Sequence, residues 1–73
     1  MKKYKVEGFS ELVDVAMNTN TVEEASDFFD TLMDSNVYYE GRITDNRTGE
    51  LYCYFTKEAD ASGIKTEYWT AFA

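Results

Sequence analysis

Five carboxylates without a neighbouring base are the residues of this chain whose type and spacing could do chemistry. They fall in the segment VEEASDFFDTLMD, residues 22–34, and are Glu23, Glu24, Asp27, Asp30 and Asp34. Four of them recur at intervals of four, three and four residues, a spacing that places them in one stripe on a helix. Such a stripe can attract Lys and Arg side chains of a partner. Nothing sets two of its carboxyls across a cleft, as acid–base catalysis would need.

The shortage of bases extends well beyond this segment. From Val6 to Gly41 the chain has nine acids and no Lys or Arg, and its formal net charge is −7. Like charges three or four residues apart on a helix cost about 0.2–0.5 kcal/mol each, so a single Lys would improve stability. We predict that the five acids, with Glu11 and Asp14, form a docking surface for a basic protein. The alternative is a solvated face that serves only solubility.

Tyrosines supply a second candidate surface. Among six Tyr residues, we predict that Tyr38, Tyr52 and Tyr54 share the sheet face turned away from the helix. Tyrosine is enriched at protein interfaces, and only Arg42 and Arg47 lie near enough to attract a phosphate backbone. A protein contact or self-association is therefore favoured over nucleic acid. Alternatively, another element covers this face and the tyrosines belong partly to the core.

Composition excludes several classes of function. The 73 residues predict one domain, 1–73, and there is no histidine to act as a general base or a zinc ligand. The lone Cys53 has no histidine partner, so we expect a core residue, no enzyme, no metal and no cofactor. The acidic charge disfavours direct contact with nucleic acid or with a membrane. No apolar run of signal-peptide length follows the basic N-terminus, and we expect a cytoplasmic protein.

Residues 22–34 form the element that must position the acids. Their apolar side chains recur with helical period, and Thr21 is a suitable N-cap, with Glu24 three residues on completing a capping box. Asn36 can end the helix in the left-handed conformation. The spacing therefore predicts an amphipathic helix with one apolar face and one acidic face.

The N-terminal third holds an ambiguous segment. In KKYKVEG, charged residues alternate with Tyr4 and Val6, which predicts a short strand with one solvent-exposed face, ended by Gly8. Residues 10–18 fit a second helix with Ser10 as its N-cap. They also fit a strand that would pair with Tyr4–Glu7. The helical pattern is the cleaner of the two, and both remain open.

The C-terminal half predicts strands. VYYEGRITDNRTGELYCYFT reads as a hairpin in which Asp45 accepts backbone N–H bonds and Gly49 takes a positive φ. Ile43, Cys53 and Phe55 would share a face, with Ile43 near Leu51. KEADASG predicts a polar loop, and IKTEYWTAF a last strand whose inner face could hold either Tyr68 or Trp69. The fold class is α+β, with one or two helices on an antiparallel sheet of three or four strands.

The acid-rich helical half, the hairpin VYYEGRITDNRTGELYCYF and the small size together give the chain a resemblance. It resembles small acidic phage proteins that disarm host defences, namely anti-CRISPR proteins and DNA mimics of the uracil-DNA glycosylase inhibitor kind. The resemblance implies a host-cytosol inhibitor that occupies the basic surface of a nucleic-acid-binding protein, such as a CRISPR nuclease. It lies in layout, and no functional residue is carried over from it. The alternative hypothesis is an accessory module that forms a homodimer through its tyrosine-rich face or an open edge strand.

Overall fold

Five antiparallel strands and one helix make up residues 2–72, the part of the chain that this computed structural model describes. In chain order the elements are β1 (Tyr4–Phe9), β2 (Val15–Thr19), α1 (Val22–Asp34), β3 (Glu40–Asp45), β4 (Leu51–Asp60) and β5 (Gly63–Thr70). The strand order is β2-β1-β3-β4-β5, and α1 packs on one face, across β1, β3 and β2. The α+β class is confirmed, with more strands than predicted.

The helix occupies the predicted residues and buries the predicted face. Ala25, Phe29 and Leu32 are buried against the sheet. The N-cap is also confirmed, since Thr21 Oγ1 accepts a hydrogen bond from the Glu24 amide at 3.2 Å. The Glu24 carboxylate accepts from the Thr21 hydroxyl at 3.0 Å instead of reaching back to the backbone. The first turn is therefore capped through one side chain.

The predicted left-handed cap at the end of the helix is wrong. No residue other than glycine has a positive φ among the described residues, so Asn36 is not left-handed. The C-cap is Ser35, with extended backbone angles (φ −76°, ψ 142°). The Lys57 ammonium on β4 donates to the Ser35 carbonyl oxygen at 3.0 Å. Because a side chain from the sheet satisfies this carbonyl, the chain can leave the helix without a left-handed residue.

Of the two alternatives left open for residues 10–18, the helix is wrong, and the strand that pairs with Tyr4–Glu7 is confirmed over Val15–Thr19. Residues 10–14 form a loop, and β2 pairs with β1 from Tyr4↔Thr19 to Gly8↔Val15. The Ser10 hydroxyl accepts from the Val13 amide at 2.9 Å inside this loop and does not cap a helix. The edge of β1 offers unpaired backbone groups to this segment, and pairing with that edge outweighs the helical periodicity.

Glycines allow two close approaches between side chains and the sheet. Gly8 does not end β1, because the strand continues to Phe9. A Cβ at Gly8 would lie 2.9 Å from Leu32 Cδ1, so the glycine lets α1 approach the strand. A Cβ at Gly41 would overlap the ring of Phe55, which is fully buried. The core between α1 and the sheet therefore depends on both positions lacking a side chain.

The first C-terminal hairpin forms as predicted apart from its register. Gly49 has φ +79°, and Asp45 Oδ1 accepts from the amides of Arg47 (2.8 Å) and Thr48 (3.0 Å). Ile43 lies opposite Cys53, and Leu51 lies opposite the next residue, Thr44, because a bulge inserts one extra residue of β4 between these two pairs. That extra residue is Tyr52.

The predicted loop at residues 57–63 is a continuation of the sheet. β4 runs to Asp60, whose Oδ1 accepts from the Ser62 amide (2.8 Å) and hydroxyl (2.7 Å) in a tight turn into β5. On β5, Tyr68 lies opposite Phe55 on the helix side, and Trp69 opposite Tyr54 on the other side. Neither side is buried, since every residue of β5 except the last is exposed.

Candidate partner-binding site

The acidic face of α1 consists of Glu23, Glu24, Asp27, Asp30 and Asp34. All five side chains are exposed. Within residues 2–72 none of them lies within 4.0 Å of a Lys or Arg nitrogen. Glu24 is the one member with a structural bond, to the Thr21 hydroxyl. The remaining four carboxylates are free to meet a partner.

Five of the seven basic residues make side-chain contacts elsewhere on the molecule. The ion pairs between described residues are Lys3–Asp45 (3.9 Å), Lys5–Glu7 (3.9 Å), Arg42–Glu7 (3.5 Å) and Lys65–Glu67 (3.6 Å). Each joins groups on the sheet or beside it, and Lys57 binds the Ser35 carbonyl. Because the bases contact the sheet acids and a carbonyl, the negative field over α1 is left uncompensated at short range.

Glu11 and Asp14 lie on a loop and not on a helix or strand. Both are exposed in the loop between β1 and β2. Leu32, in the last turns of α1, packs over Gly8 near the end of β1, where this loop begins. The loop therefore emerges at the end of the sheet where α1 terminates. The structure places these two acids at the same end as Asp34, on a loop and not on a second helix.

The three tyrosines of the predicted aromatic face do not lie together. Tyr52 turns toward the helix side, where its ring packs against Tyr4 (5.6 Å between centroids) and stacks on Phe72 (5.3 Å). Tyr38 precedes β3 and also packs against the core. Tyr54 alone points away from α1, since its neighbours Cys53 and Phe55 are buried. The bulge in β4 is the physical reason, because its extra residue breaks the alternation of faces.

Tyr52 instead forms a structural bond with the hairpin turn. Its hydroxyl donates to Asp45 Oδ2 at 3.0 Å. The amides of Arg47 and Thr48, together with this hydroxyl, lower the pKa of Asp45 from 3.8 to about 2. The same bond raises the pKa of Tyr52 to about 12. At neutral pH the pair is therefore a carboxylate held by donors, which stabilises the turn.

No protein-family model, curated protein or solved structure matches this chain.

The sheet face away from α1 contains aromatic residues that the sequence reasoning missed. Tyr54 stacks on Trp69 with centroids 5.9 Å apart, and the Arg42 guanidinium lies 4.8 Å above the Phe9 ring. A shallow groove of about 220 Å³ on the sheet is lined by Glu40, Gly41, Arg42, Leu51, Tyr54 and Thr56. Trp69 lies directly opposite Tyr54 on the neighbouring strand, so both side chains point to the same face of the sheet. Phe9 shares that face because it follows Lys5 and Glu7 at intervals of two residues in β1.

Cys53, the one cysteine of the sequence, is buried. Burial raises the pKa of the Cys53 thiol, whose sulfur shares a hydrogen bond with Thr70 Oγ1 at 3.1 Å. No group of three or more Cys, Asp or Glu side chains in residues 2–72 is placed to hold a metal ion. The same residues contain no helix both long and apolar enough to cross a membrane. The arrangement is suited to attracting positive charge.

Proposed function

We propose that this protein is a stoichiometric inhibitor that occupies the basic surface of a nucleic-acid-binding protein, such as a CRISPR nuclease. In this proposal it is encoded by a phage or mobile element and acts in the cytosol of the host. The observation that carries the proposal is the acidic face of α1, whose carboxylates are exposed and lack an ion pair within residues 2–72.

The spacing of the carboxylates supports a target whose basic surface normally binds nucleic acid. Successive members of the stripe Glu23, Asp27, Asp30 and Asp34 lie about 4.5–6 Å apart along the helix axis, at 1.5 Å per residue. A DNA strand places phosphates about every 3.4 Å of axis. The two spacings are of the same order, so Lys and Arg side chains arranged for phosphates can reach these carboxylates. Bonds between ionised groups of this kind are about twice as strong as neutral hydrogen bonds.

The energetics of α1 also support a binding role. Three like-charge neighbours in the stripe together cost the helix about 1 kcal/mol. Among residues 2–72 no base pairs with these acids to relieve that cost, although Lys57 reaches the end of the same helix and binds a carbonyl there. A basic partner would relieve the repulsion on binding, which makes association more favourable than contact area alone predicts.

Competition with DNA tests the proposal. Purified RNA-guided nucleases and a uracil-DNA glycosylase would each be loaded with a fluorescent duplex, and displacement by this protein measured by anisotropy across a salt series. The double variant Asp27→Lys/Asp30→Lys is compared with Glu50→Lys/Glu58→Lys, which changes the net charge equally with exposed residues away from α1. We expect the helix variant to bind at least about tenfold more weakly and the control to change much less.

Three results would count against the proposal. Equal losses in both variants would mean that net charge, and not the acidic face, drives binding. An affinity indifferent to salt would contradict an ionic interface. Failure to displace DNA from any of the proteins would remove the class of target that the proposal names.

A further inference from the structure

The outer edge of β5 is the longer of the two open strand edges of the sheet. β5 has eight residues and β2, at the other edge, has five. Ile64, Tyr68 and Trp69 remain 61%, 52% and 42% exposed on β5. An edge of this length with apolar side chains offers a row of unpaired backbone groups that another strand can bind.

We infer that β5 pairs antiparallel with β5 of a second copy, with Thr66 on the two-fold axis, to form a continuous ten-stranded sheet. This inference does not rest on the proposed function. Symmetry limits the choices, because residues directly opposite each other must point to the same face of the sheet. Only registers that place one residue opposite its own copy meet that condition.

With Thr66 at the centre, every cross-strand pair is complementary. Lys65 meets Glu67 of the second copy, and by symmetry Glu67 meets Lys65, so two opposite-charge pairs form. Ile64 meets Tyr68, which joins two exposed apolar side chains. Gly63 meets Trp69, and the space beside a glycine is where an aromatic ring packs well across strands. Each of these contacts is of a kind that stabilises paired strands.

Neighbouring registers lack this complementarity. A centre on Lys65 places two ammonium groups opposite each other, and a centre on Glu67 places two carboxylates opposite each other. Charged residues on an edge strand usually prevent pairing. Here Lys65 and Glu67 have opposite charges and lie at equal distances from Thr66, so only the register centred on Thr66 places unlike charges opposite each other. The two side chains share a face of the sheet, where Lys65 Nζ lies 3.6 Å from Glu67 Oε1 within one chain.

The charge distribution favours β5 over β2 as the joining edge. Each chain has a net charge of −7, so contact between two copies is costly where the acids concentrate. The loop with Glu11 and Asp14 leads into β2, and α1 follows it. β5 carries one base and one acid and lies at the opposite edge. Pairing through β5 therefore leaves the two acidic faces at opposite ends of the assembly.

Charge-swapped variants test the pairing. Sedimentation equilibrium from about 10 µM to about 1 mM would measure the dimer dissociation constant of the wild type. We expect Lys65→Glu or Glu67→Lys alone to weaken the dimer by about tenfold or more, because two attractive pairs become repulsive. Mixing the two variants should restore association, since every pair in that heterodimer again joins opposite charges. Circular dichroism would confirm that each variant is folded.

A cysteine pair tests the register. In Thr66→Cys the two new thiols would face each other, with Cα atoms about 4.5–5.5 Å apart, within the range of a disulfide. In the control Lys65→Cys the same residues would lie about 8 Å apart, too far to bridge. We expect mild oxidation to give covalent dimer in the first variant and much less in the second. The native Cys53 is buried in both.

Three outcomes would overturn the inference. The first is a wild-type chain that is monomeric at about 1 mM. The second is a dimer that is insensitive to both charge reversals. The third is cross-linking through residue 65 in preference to residue 66. The DNA-competition result does not bear on any of them, because a monomer can still bind a basic partner through α1.

Discussion

The two halves of the sheet follow the same alternating sequence pattern but differ in burial. In β1 and β3 every second residue is buried, whereas β5 is exposed over seven of its eight residues. A helix is about 10 Å across and strands are spaced about 4.8 Å, so one helix covers about two strands. α1 lies over β1 and β3 and reaches the next two strands through Phe29, whose ring packs against Phe55 on β4 and, with centroids 6.1 Å apart, Tyr68 on β5. Most of the β4–β5 end is left uncovered. Alternation of polar and apolar residues therefore indicates a strand, whereas the packing of the helix on the sheet determines whether one side of that strand is buried.

The same division separates the charges. The covered half carries the acidic face of α1 and the acids of the β1–β2 loop. From Leu51 to Phe72 the chain has two bases, Lys57 and Lys65, and three acids, Glu58, Asp60 and Glu67. A surface of one sign suits an unlike partner, and a strand with both signs suits a copy of itself.

Truncating an aromatic ring in each half should give the largest contrast. Phe29 is 2% exposed and packs edge-on against Phe55, with centroids 5.4 Å apart. We expect Phe29→Ala to lower the free energy of unfolding by about 3–5 kcal/mol. Tyr68→Ala should cost less, about 1 kcal/mol, because the Tyr68 ring contacts Phe29 but is 52% exposed. Urea denaturation measures both, and equal costs would contradict the division into covered and uncovered halves.

Adding one methyl group under the helix should have the next largest effect. Gly41→Ala forces its Cβ into the Phe55 ring, and we expect a loss of about 1–3 kcal/mol from overpacking. The cost should shrink in a Phe55→Leu background, because the ring edge is then gone. A double-mutant cycle from urea melts measures this coupling. A cost that is unchanged in that background would mean that strain elsewhere, and not the ring, is responsible.

The two hairpin turns differ in how their aspartates are held, and we expect the Asp45 turn to lose stability at acid pH. Asp45 binds Tyr52 across the hairpin, whereas Asp60, whose pKa is also lowered, is bonded within its own turn by the Ser62 hydroxyl and amide. Since the pKa of Asp45 falls from 3.8 to about 2 on folding, the charged side chain stabilises the fold above about pH 4. That contribution is lost as the pH falls toward 2.

Thermal melts against pH check this expectation. The difference in Tm between wild type and Asp45→Ala should be constant near neutral pH, shrink below about pH 4 and be smallest near pH 2. Tyr52→Phe removes one donor and so raises the folded-state pKa of Asp45, and the same loss should then be smaller and be complete at a higher pH. A difference that persists undiminished to pH 2 would show that the carboxylate charge is not what stabilises the turn.

Lys57 joins the two halves, and its removal should have a modest effect. Lys57→Met keeps the aliphatic stem and loses the bond to the Ser35 carbonyl. We expect a loss of up to about 1 kcal/mol, because a cation at a helix C-terminus is favourable and screened by salt. Lys65→Met on β5 is the matched control, with an exposed ion pair of little value. Urea melts at low and high salt distinguish the two.

Charge reversal on α1 should give the smallest change, and in the stabilising direction. Asp27→Lys turns repulsion with Glu23 and Asp30 into attraction, and we expect a gain of about 0.5 kcal/mol. Glu58→Lys on the uncovered half should be close to neutral. The same reversal should weaken binding in the DNA competition, so stability and function would move in opposite directions. A destabilised Asp27→Lys would mean that the acidic face supports the fold.

Local patterns were predicted well and long-range pairings were not. The first hairpin turn was predicted because Asp45 and Gly49 act within five residues. The strand at β2 was one of two alternatives that the sequence left open, since its pairing depends on β1, and a helical pattern in the same residues was cleaner. In the candidate site the acids were found by their spacing. The position of Tyr52 was missed because a bulge leaves no period in the sequence.

By itself the sequence determined the helix over residues 22–34 and the acids on its outer face, because helical period and the Thr21 cap act within one or two turns. It also determined that no base lies on that helix. Three further features came only from the folded chain: the described bases form no ion pair with those acids, Lys57 binds the helix end, and β5 is left largely exposed. Each of these depends on which strands one short helix can cover, and that follows from the packing of distant segments.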